Sequence, residues 1–366
     1  MEIRQIITCL ETRAPLCYQE GYDNAGLLTG DPGWEVSGAL LTLDVTEAVI
    51  REAIEKKCNL VISHHPLIFR GLKKLTGRNH VERAVILAIK NDIALYAAHT
   101  NLDNMRQGVN DMIAEKLGLT RRRVLSPSKG TLRKLYTFAP RGKDTQRVLD
   151  ALFAAGAGFI GGYSECSFSH PGTGSFKAGP GTHPYVGQPG IRHLEEESKI
   201  EVIFPAHLEA RVLQALHEAH PYEEVAYDVV QLANPHPGIG SGLVGELPEP
   251  MPEAEFLQQV RRTMGAEGLR HTALLGRPVQ KVAVCGGAGS FLLPAAIASG
   301  AGMFLSADFK YHEFFDADNQ IVIADIGHFE SEQYTVEIFY NIITEKIPNF
   351  APLKSNIRTN PINYLH

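Results

Sequence analysis

The sequence predicts an α/β protein whose parallel or mixed sheet core is built from two similar α/β halves, interrupted by an α+β inserted domain. Three observations carry this reading. Residues 38–118 alternate apolar strands with amphipathic helices, and residues 281–345 repeat that grammar. Between them the texture changes to glycine-rich, turn-rich segments with alternating strands. The expected organisation is a discontinuous domain of residues 1–127 and 236–366, with residues 128–235 as the insert.

Ile3, Ile6, Ile7 and Leu10 recur at helical spacing, and Pro15 lies beyond the helix end. "GALLTLDV" (38–45) reads as a buried strand that passes through Thr46, an N-cap, into a helix over 47–57. Strand 59–63, helix 80–90, strand 93–99 and helix 108–118 follow. Strands that are apolar throughout belong in a sheet covered on both faces. "TRRRVLSPSKGTLRK" (120–134), with six basic residues and no acidic one, reads as a solvated interdomain connector.

The turn-rich stretches 126–130 and 234–242 bound the insert. Inside it come strand 134–139, helix 144–155, candidate strands 162–170 and 173–179, strand 199–205, helix 207–219 and strand 224–232. That order is close to the ferredoxin-like plan with an extra hairpin. The last segment runs strand 281–286, helix 291–299, strand 303–307, helix 309–317, strand 320–328 and helix 329–345. "NDIALYAAHTNLD" and "NQIVIADIGHFESE" each end a strand in histidine with an acid four residues on, His99 with Asp103 and His328 with Glu332. The shared layout suggests an internal duplication.

A chain of 366 residues is long enough for two domains and a sizeable core. At 44% hydrophobic and 21% charged residues its composition is ordinary for a globular protein, and a net charge of −6 gives no general footprint for nucleic acid or an anionic membrane. Five scattered cysteines without a Cys-x-x-Cys argue for a reducing cytosol. Glu2 and Arg4 stand where a signal peptide would begin its apolar region, and the uncharged stretch 284–307 carries glycines and Pro294 that suit a buried strand–helix–strand passage. The expected location is cytoplasmic, with no membrane partner.

"LVISHHPLIF" (60–69) leaves a strand through two adjacent histidines, and Pro66 forbids a helix there. The pair can cap a turn or bind metal. Neighbouring side chains at a strand end diverge, so two ions roughly 3.5–4 Å apart suit them better than one. Ligands in open α/β sheets sit beyond the carboxyl ends of strands, where Asp44, His64, His65, His99, Asp103, Asp308, His328 and Glu332 all fall. Imidazole and carboxylate suit zinc, iron or manganese, and in a helix His328 and Glu332 share a face. "CGGAGS" (285–290) is a glycine turn able to cradle an anion, "GYDNAGL" (21–27) is a loop or a site lid, and His312 with Glu313 either line the pocket or begin a helix. The His/Glu cluster at 217–228 reads as a helix end and a strand start.

"GYDNAGLL", "LVISHHPLIF", "AAHTNLDN" and "IGHFESE", in that order, resemble the Nif-three-like family, whose bacterial members are commonly labelled GTP cyclohydrolase 1 type 2 homologues. The middle segment is similar to the PII/CutA-like insert of the longer bacterial members. The resemblance implies a toroidal homohexamer with a dinuclear centre of two divalent metal ions per chain. By motif position their ligands are His64, His65, Asp103, His328 and Glu332, with Glu332 as the bridge. His99 matches a recurrent family histidine and is expected to support a ligand or carry protons. Tyr22 stands where the family often has Trp, which leaves the ligands undisturbed.

Two functions compete at this point. One is a metal-dependent hydrolase acting on a nucleotide-like small molecule, with His99 as a proton shuttle. The other is a metal-binding regulatory or chaperone-like assembly, which the PII/CutA-like insert favours.

Overall fold

A computed structural model describes residues 1–365. It is a mixed α/β structure with fifteen strands: β1 (Gly26–Thr29), β2 (Ala39–Thr42), β3 (Leu60–Ser63), β4 (Ala94–Ala97), β5 (Thr120–Pro127), β6 (Leu132–Pro140), β7 (Ser167–Lys177), β8 (Arg192–Pro205), β9 (Tyr227–Gln231), β10 (Gly240–Met251), β11 (Arg270–His271), β12 (Val279–Ala288), β13 (Met303–Ala307), β14 (Val322–Asp325) and β15 (Leu353–Lys354). The chain divides into two compact units, Met1–Ser126 with Gly238–His366, and Pro127–Pro237.

In the first unit, one sheet runs β1-β4-β3-β2-β15 and another β11-β14-β13-β12-β10-β5. Each contains three consecutive parallel strands, β2-β3-β4 and β12-β13-β14, closed by an antiparallel strand, β1 on β4 and β11 on β14. The expected alternation of strands and helices is therefore present in both halves, and the sheets are mixed. The strands of the first half are apolar because both faces are covered. Leu40 and Val61 join one apolar cluster with helix Glu47–Glu55, while Leu41, Leu60, Ile62 and Tyr96 join another with Val282, Met303, Leu305 and Val322 of the second half. Helix Ile3–Arg13 buries Ile3, Ile6, Ile7 and Leu10 in that shared cluster, at about 1.5–3 kcal/mol for each large side chain.

Register places the site. Thr42 pairs with Ser63 and Ser63 with Ala97, so the residues following β2, β3 and β4 emerge together at one edge. Ser306 pairs with Asp325, which brings the ends of β13 and β14 together in the same way.

Several expectations need correction. The basic stretch after residue 120 is not wholly a connector: Thr120–Pro127 is an edge strand that buries Val124 and Leu125, while Arg121 pairs with Glu246 at 2.9 Å. Charge on an edge strand keeps it from pairing further. The stretch 284–307 does form a strand, a short helix at Leu293–Ala298 and a strand. The helix expected over 329–345 breaks into His328–Glu332 and Thr335–Lys346.

The second unit is a four-stranded antiparallel sheet, β7-β8-β6-β9, with helices Lys143–Ala154 and Glu209–Ala219 contributing to its core. The two glycine-rich candidate strands form one continuous β7 on the sheet edge, where Pro171 lacks no needed N–H. No separate extra hairpin forms there.

In the first unit β5 and β10 are neighbours, Thr120 Oγ1 donates to the Glu246 carbonyl at 3.1 Å, and a Cβ on Gly242 would meet Leu125 at 3.3 Å. The two strands thus run antiparallel, with Pro127 and Gly240 at the same end. Replacing residues 129–235 by a short Gly/Ser linker is therefore expected to leave a folded first unit. Cooperative thermal unfolding monitored by circular dichroism checks this, and an insoluble or non-cooperative product contradicts it.

Candidate metal centre

The ends of the parallel strands converge on Glu332. Its carboxylate is only 3% exposed, with Oε2 2.9 Å from His65 Nε2 and 3.1 Å from His328 Nε2, and Oε1 3.7 Å from His64 Nε2. His64 Nε2 also lies 3.6 Å from Asp103 Oδ1. His328 and Glu332 stand one turn apart on helix His328–Glu332, as the spacing predicts. The five residues expected to hold metal thus come together, from both halves of the unit. Among the described residues, ligand-type atoms gather within 4.8 Å in three sets: His65, His328 and Glu332; His64, Asp103 and Glu332; and His64, His65 and His99. The first two share Glu332.

Each histidine is aimed by its other nitrogen. Nδ1 of His65 donates to Asp44 at 2.7 Å, that of His328 to Asp308 at 2.6 Å, that of His99 to Asp23 at 2.8 Å, and that of His64 to the Ala98 carbonyl at 2.8 Å. This turns the remaining nitrogen toward the ligand-type cluster, the arrangement that metal-ligating histidines use. His64 Nε2 and Asp103 Oδ1 are buried with no hydrogen-bond partner. Buried polar atoms are rarely left so, and a cation held there would supply what no protein group does.

The electrostatics agree. Burial raises the Asp103 carboxyl, reinforced by the Glu332 carboxylate, to about 7. Burial disfavours charge on His65 and His328, yet hydrogen bonds and attraction to their carboxylate partners outweigh it and push them up to about 9 and about 11. Glu332 is driven well below its usual range by His328 and His64 against the opposing cost of burial. The carboxylates draw positive charge into this space, as protons when no cation is there.

Two N–H groups of the glycine turn are already taken by side chains. Gly286 N–H is spent on Asn110 Oδ1 at 3.0 Å and Gly287 N–H on Ser331 Oγ at 2.9 Å. Gly287, at φ +58°, instead gives way to Glu332 and His328: a Cβ there would lie 2.5 Å from Glu332 Oε1. Glu313 accepts from Lys310 N at 2.9 Å and begins a 3-10 turn, Tyr311–Ala317, rather than lining the pocket. In the insert, His220 donates to the Phe138 carbonyl at 2.8 Å and Tyr222 to Glu197 at 2.9 Å, so that cluster is structural.

Asp23 in "GYDNAGL" is the residue that motif reading left without a role. It holds His99 with one oxygen and the Thr100 N–H, at 3.0 Å, with the other. A carboxylate inside a polar glycine turn was the available signal. Burial raises its carboxyl, but hydrogen bonds from His99 and Thr100 outweigh that and hold it at about 2, against an ordinary 3.8. Because the folded value is the lower one, the stabilisation is present above the ordinary value and lost as pH falls through the folded one. Denaturant unfolding of metal-free protein is thus expected to lose on the order of 2 kcal/mol between about pH 4 and 2, with a flatter profile in Asp23→Asn. An identical profile in the variant contradicts it.

A cavity of about 1100 Å³ opens over the centre, lined by Tyr22, Phe69, His99, Phe291, Arg270 and Tyr364 among others. That is ample for a small organic molecule. Among the described residues no helix is long and apolar enough to cross a membrane.

A family model described as Duf34/NIF3 (NGG1p interacting factor 3) matches residues 1–361. A Bacillus subtilis protein named GTP cyclohydrolase 1 type 2 homolog is 38% identical, over 99% of this chain and 98% of that one. One of the same name from Halalkalibacterium halodurans is 37% identical, over 98% of each. Among solved structures, a Bacillus cereus protein related to NIF3 superposes with a TM-score of 0.87 at 37% identity, covering 100% of this chain and 99% of that one.

Proposed function

Because this chain belongs to the Duf34/NIF3 family, we propose that it holds two divalent metal ions, one at His64, Asp103 and Glu332 and one at His65, His328 and Glu332, and works as a metal-dependent hydrolase on a nucleotide-like small molecule. The observation that carries this reading is the pair of three-residue sets sharing one buried carboxylate, with His64 Nε2 and Asp103 Oδ1 otherwise unpartnered. Zinc, iron and manganese all suit such ligands.

Bound there, two divalent ions would supply Lewis acidity and a water acidic enough to react near neutral pH. The protein's own residues do the rest. Glu332 would be a ligand common to both ions, while Asp44 and Asp308 fix His65 and His328 in the tautomer that leaves Nε2 inward. His99, fixed by Asp23, presents its other nitrogen to the pocket and exchanges a proton with the substrate. Tyr22 and Phe69, with ring centroids 6.3 Å apart, offer apolar faces to a flat heterocycle. The names carried by the relatives support a nucleotide-like substrate. Family resemblance supports a homohexamer, and free cysteines support a cytoplasmic location.

The test is metal-defined turnover. Purified chain loaded separately with zinc, iron or manganese is expected to carry about two ions by elemental analysis. It is then screened against purine and pyrimidine nucleotides, phosphoesters and cyclic amides, with turnover expected only in loaded protein. Full loading without turnover on any of them favours the non-catalytic metal-binding assembly, and no metal after reconstitution of folded protein overturns both readings.

A further inference from the structure

The C-terminal segment after β15 runs along the metal pocket. Asn360, Pro361, Ile362 and Tyr364 line the cavity, and Tyr364 lies where a Cβ on Gly268 would meet it at 2.7 Å. The segment is held on both halves of the unit: Asn356 N–H donates to Glu52 at 2.9 Å, Arg358 pairs with Glu267 at 3.3 Å, and Asn360 Nδ2 donates to Glu330 at 2.8 Å. Between these contacts, Thr359 Oγ1 donates to Asp44 Oδ2 at 2.5 Å, the length of a strong hydrogen bond to a carboxylate. The other oxygen of Asp44 is the one that receives His65 Nδ1–H, at 2.7 Å.

We infer that Thr359 is a positioning residue of the metal centre, and that the tail which carries it sets one of the two metal positions and not the other. This rests on the metal reading above. The four histidines differ in how their acceptors are held. His64 uses a backbone carbonyl, which cannot rotate away. Asp23, behind His99, is gripped by Thr100, the next residue in the chain. Asp44 is gripped through its second oxygen by a residue 315 positions away. A carboxylate held at both oxygens is more narrowly oriented than one held at a single oxygen, whose terminal torsion is broad. Without Thr359, Asp44 is less firmly oriented, and so is the His65 ring that it aims. Among the described residues, the hydrogen bonds of His64 and the ion pair of His64 with Asp103 run within the site and not to the tail. The ion on His65 and His328 therefore depends on the docked tail, while the ion on His64 and Asp103 does not.

The experiment is a cobalt(II) titration of the full chain, read by visible absorption and elemental analysis, for wild type, Thr359→Val, Thr359→Ser and Arg358→Ala. Outer hydrogen-bond partners of metal-binding histidines are worth 10–100-fold in metal affinity. Thr359→Val is expected to weaken one of two cobalt sites by about 10-fold or more and to change its absorption band, leaving the other site unaltered. Thr359→Ser restores both, because it keeps the hydroxyl, and Arg358→Ala, which loosens the tail without touching Asp44, shifts the site less than Thr359→Val. A chain ending at Arg358 reproduces the Thr359→Val pattern and serves if that variant folds poorly. Two unchanged sites in both Thr359→Val and the shortened chain overturn the inference while the metal reading stands. Equal weakening of both sites also overturns it, and wild type that takes up no cobalt overturns the metal reading itself.

Discussion

Replacing Glu332 with alanine is expected to empty both metal positions at once, whereas His65→Ala removes only one. The reason is geometric. Glu332 is the one residue common to both candidate ligand sets, and its two oxygens face His64 on one side and His65 and His328 on the other. Losing a direct and shared ligand should cost more than the 10–100-fold that outer hydrogen-bond partners cost, so affinity for both ions should fall by more than about 100-fold. Burial makes the substitution hard on the fold as well, because Glu332 is the anion that balances protonated His65 and His328 in metal-free protein. Removing one partner of a fully buried ion pair costs about 3–5 kcal/mol, and the partly exposed His328 makes the cost smaller here. Glu332→Gln keeps the volume and separates the two effects: metal should be lost while circular dichroism and the unfolding midpoint report a folded chain. Elemental analysis after dialysis is the measurement. Two retained ions in folded Glu332→Gln would remove Glu332 from the bridge.

His99→Ala is expected to keep both ions and slow turnover by about 10²–10⁴-fold, the usual worth of a positioned general acid or base. Asp23 receives Nδ1–H of His99 and is itself held by Thr100, so one tautomer is enforced and the free nitrogen points to the cavity. Asp23→Asn should reproduce part of the loss, since an amide can turn its NH₂ toward the imidazole and favour the wrong tautomer. The competing outcome is equally concrete. His99 offers an atom within 4.8 Å of both His64 and His65, so a fall in bound metal in His99→Ala would make it a ligand. Unchanged metal with unchanged turnover would leave it neither role.

Much of this was legible along the chain because it is local. The apolar periodicity of the strands and helices, the stop at Pro15 and the N-cap at Thr46 are decided by neighbours a few residues away. The His328–Glu332 pair follows from helical spacing alone. Strands at or beside the sheet edges were less legible. β1, β5 and β10 were missed because their sequences are interrupted by glycine, proline or charge, and pairing with a neighbour supplied what local pattern did not. The glycine turn at 285–290 was open to a phosphate reading until the partners of its N–H groups were known.

The sequence by itself determined the α/β class, the two similar halves, the family and the set of histidines and carboxylates that emerge from strand ends. Those are properties of periodicity, motif order and residue chemistry, all short-range. Only the tertiary structure decided that Asp23, Asp44 and Asp308 each aim one histidine, that the candidate ligand atoms gather within 4.8 Å, and that Thr359 reaches Asp44 from the far end of the chain. A hydrogen bond is decided by a few tenths of an ångström between atoms, and no spacing along a sequence encodes a distance between residues 315 positions apart.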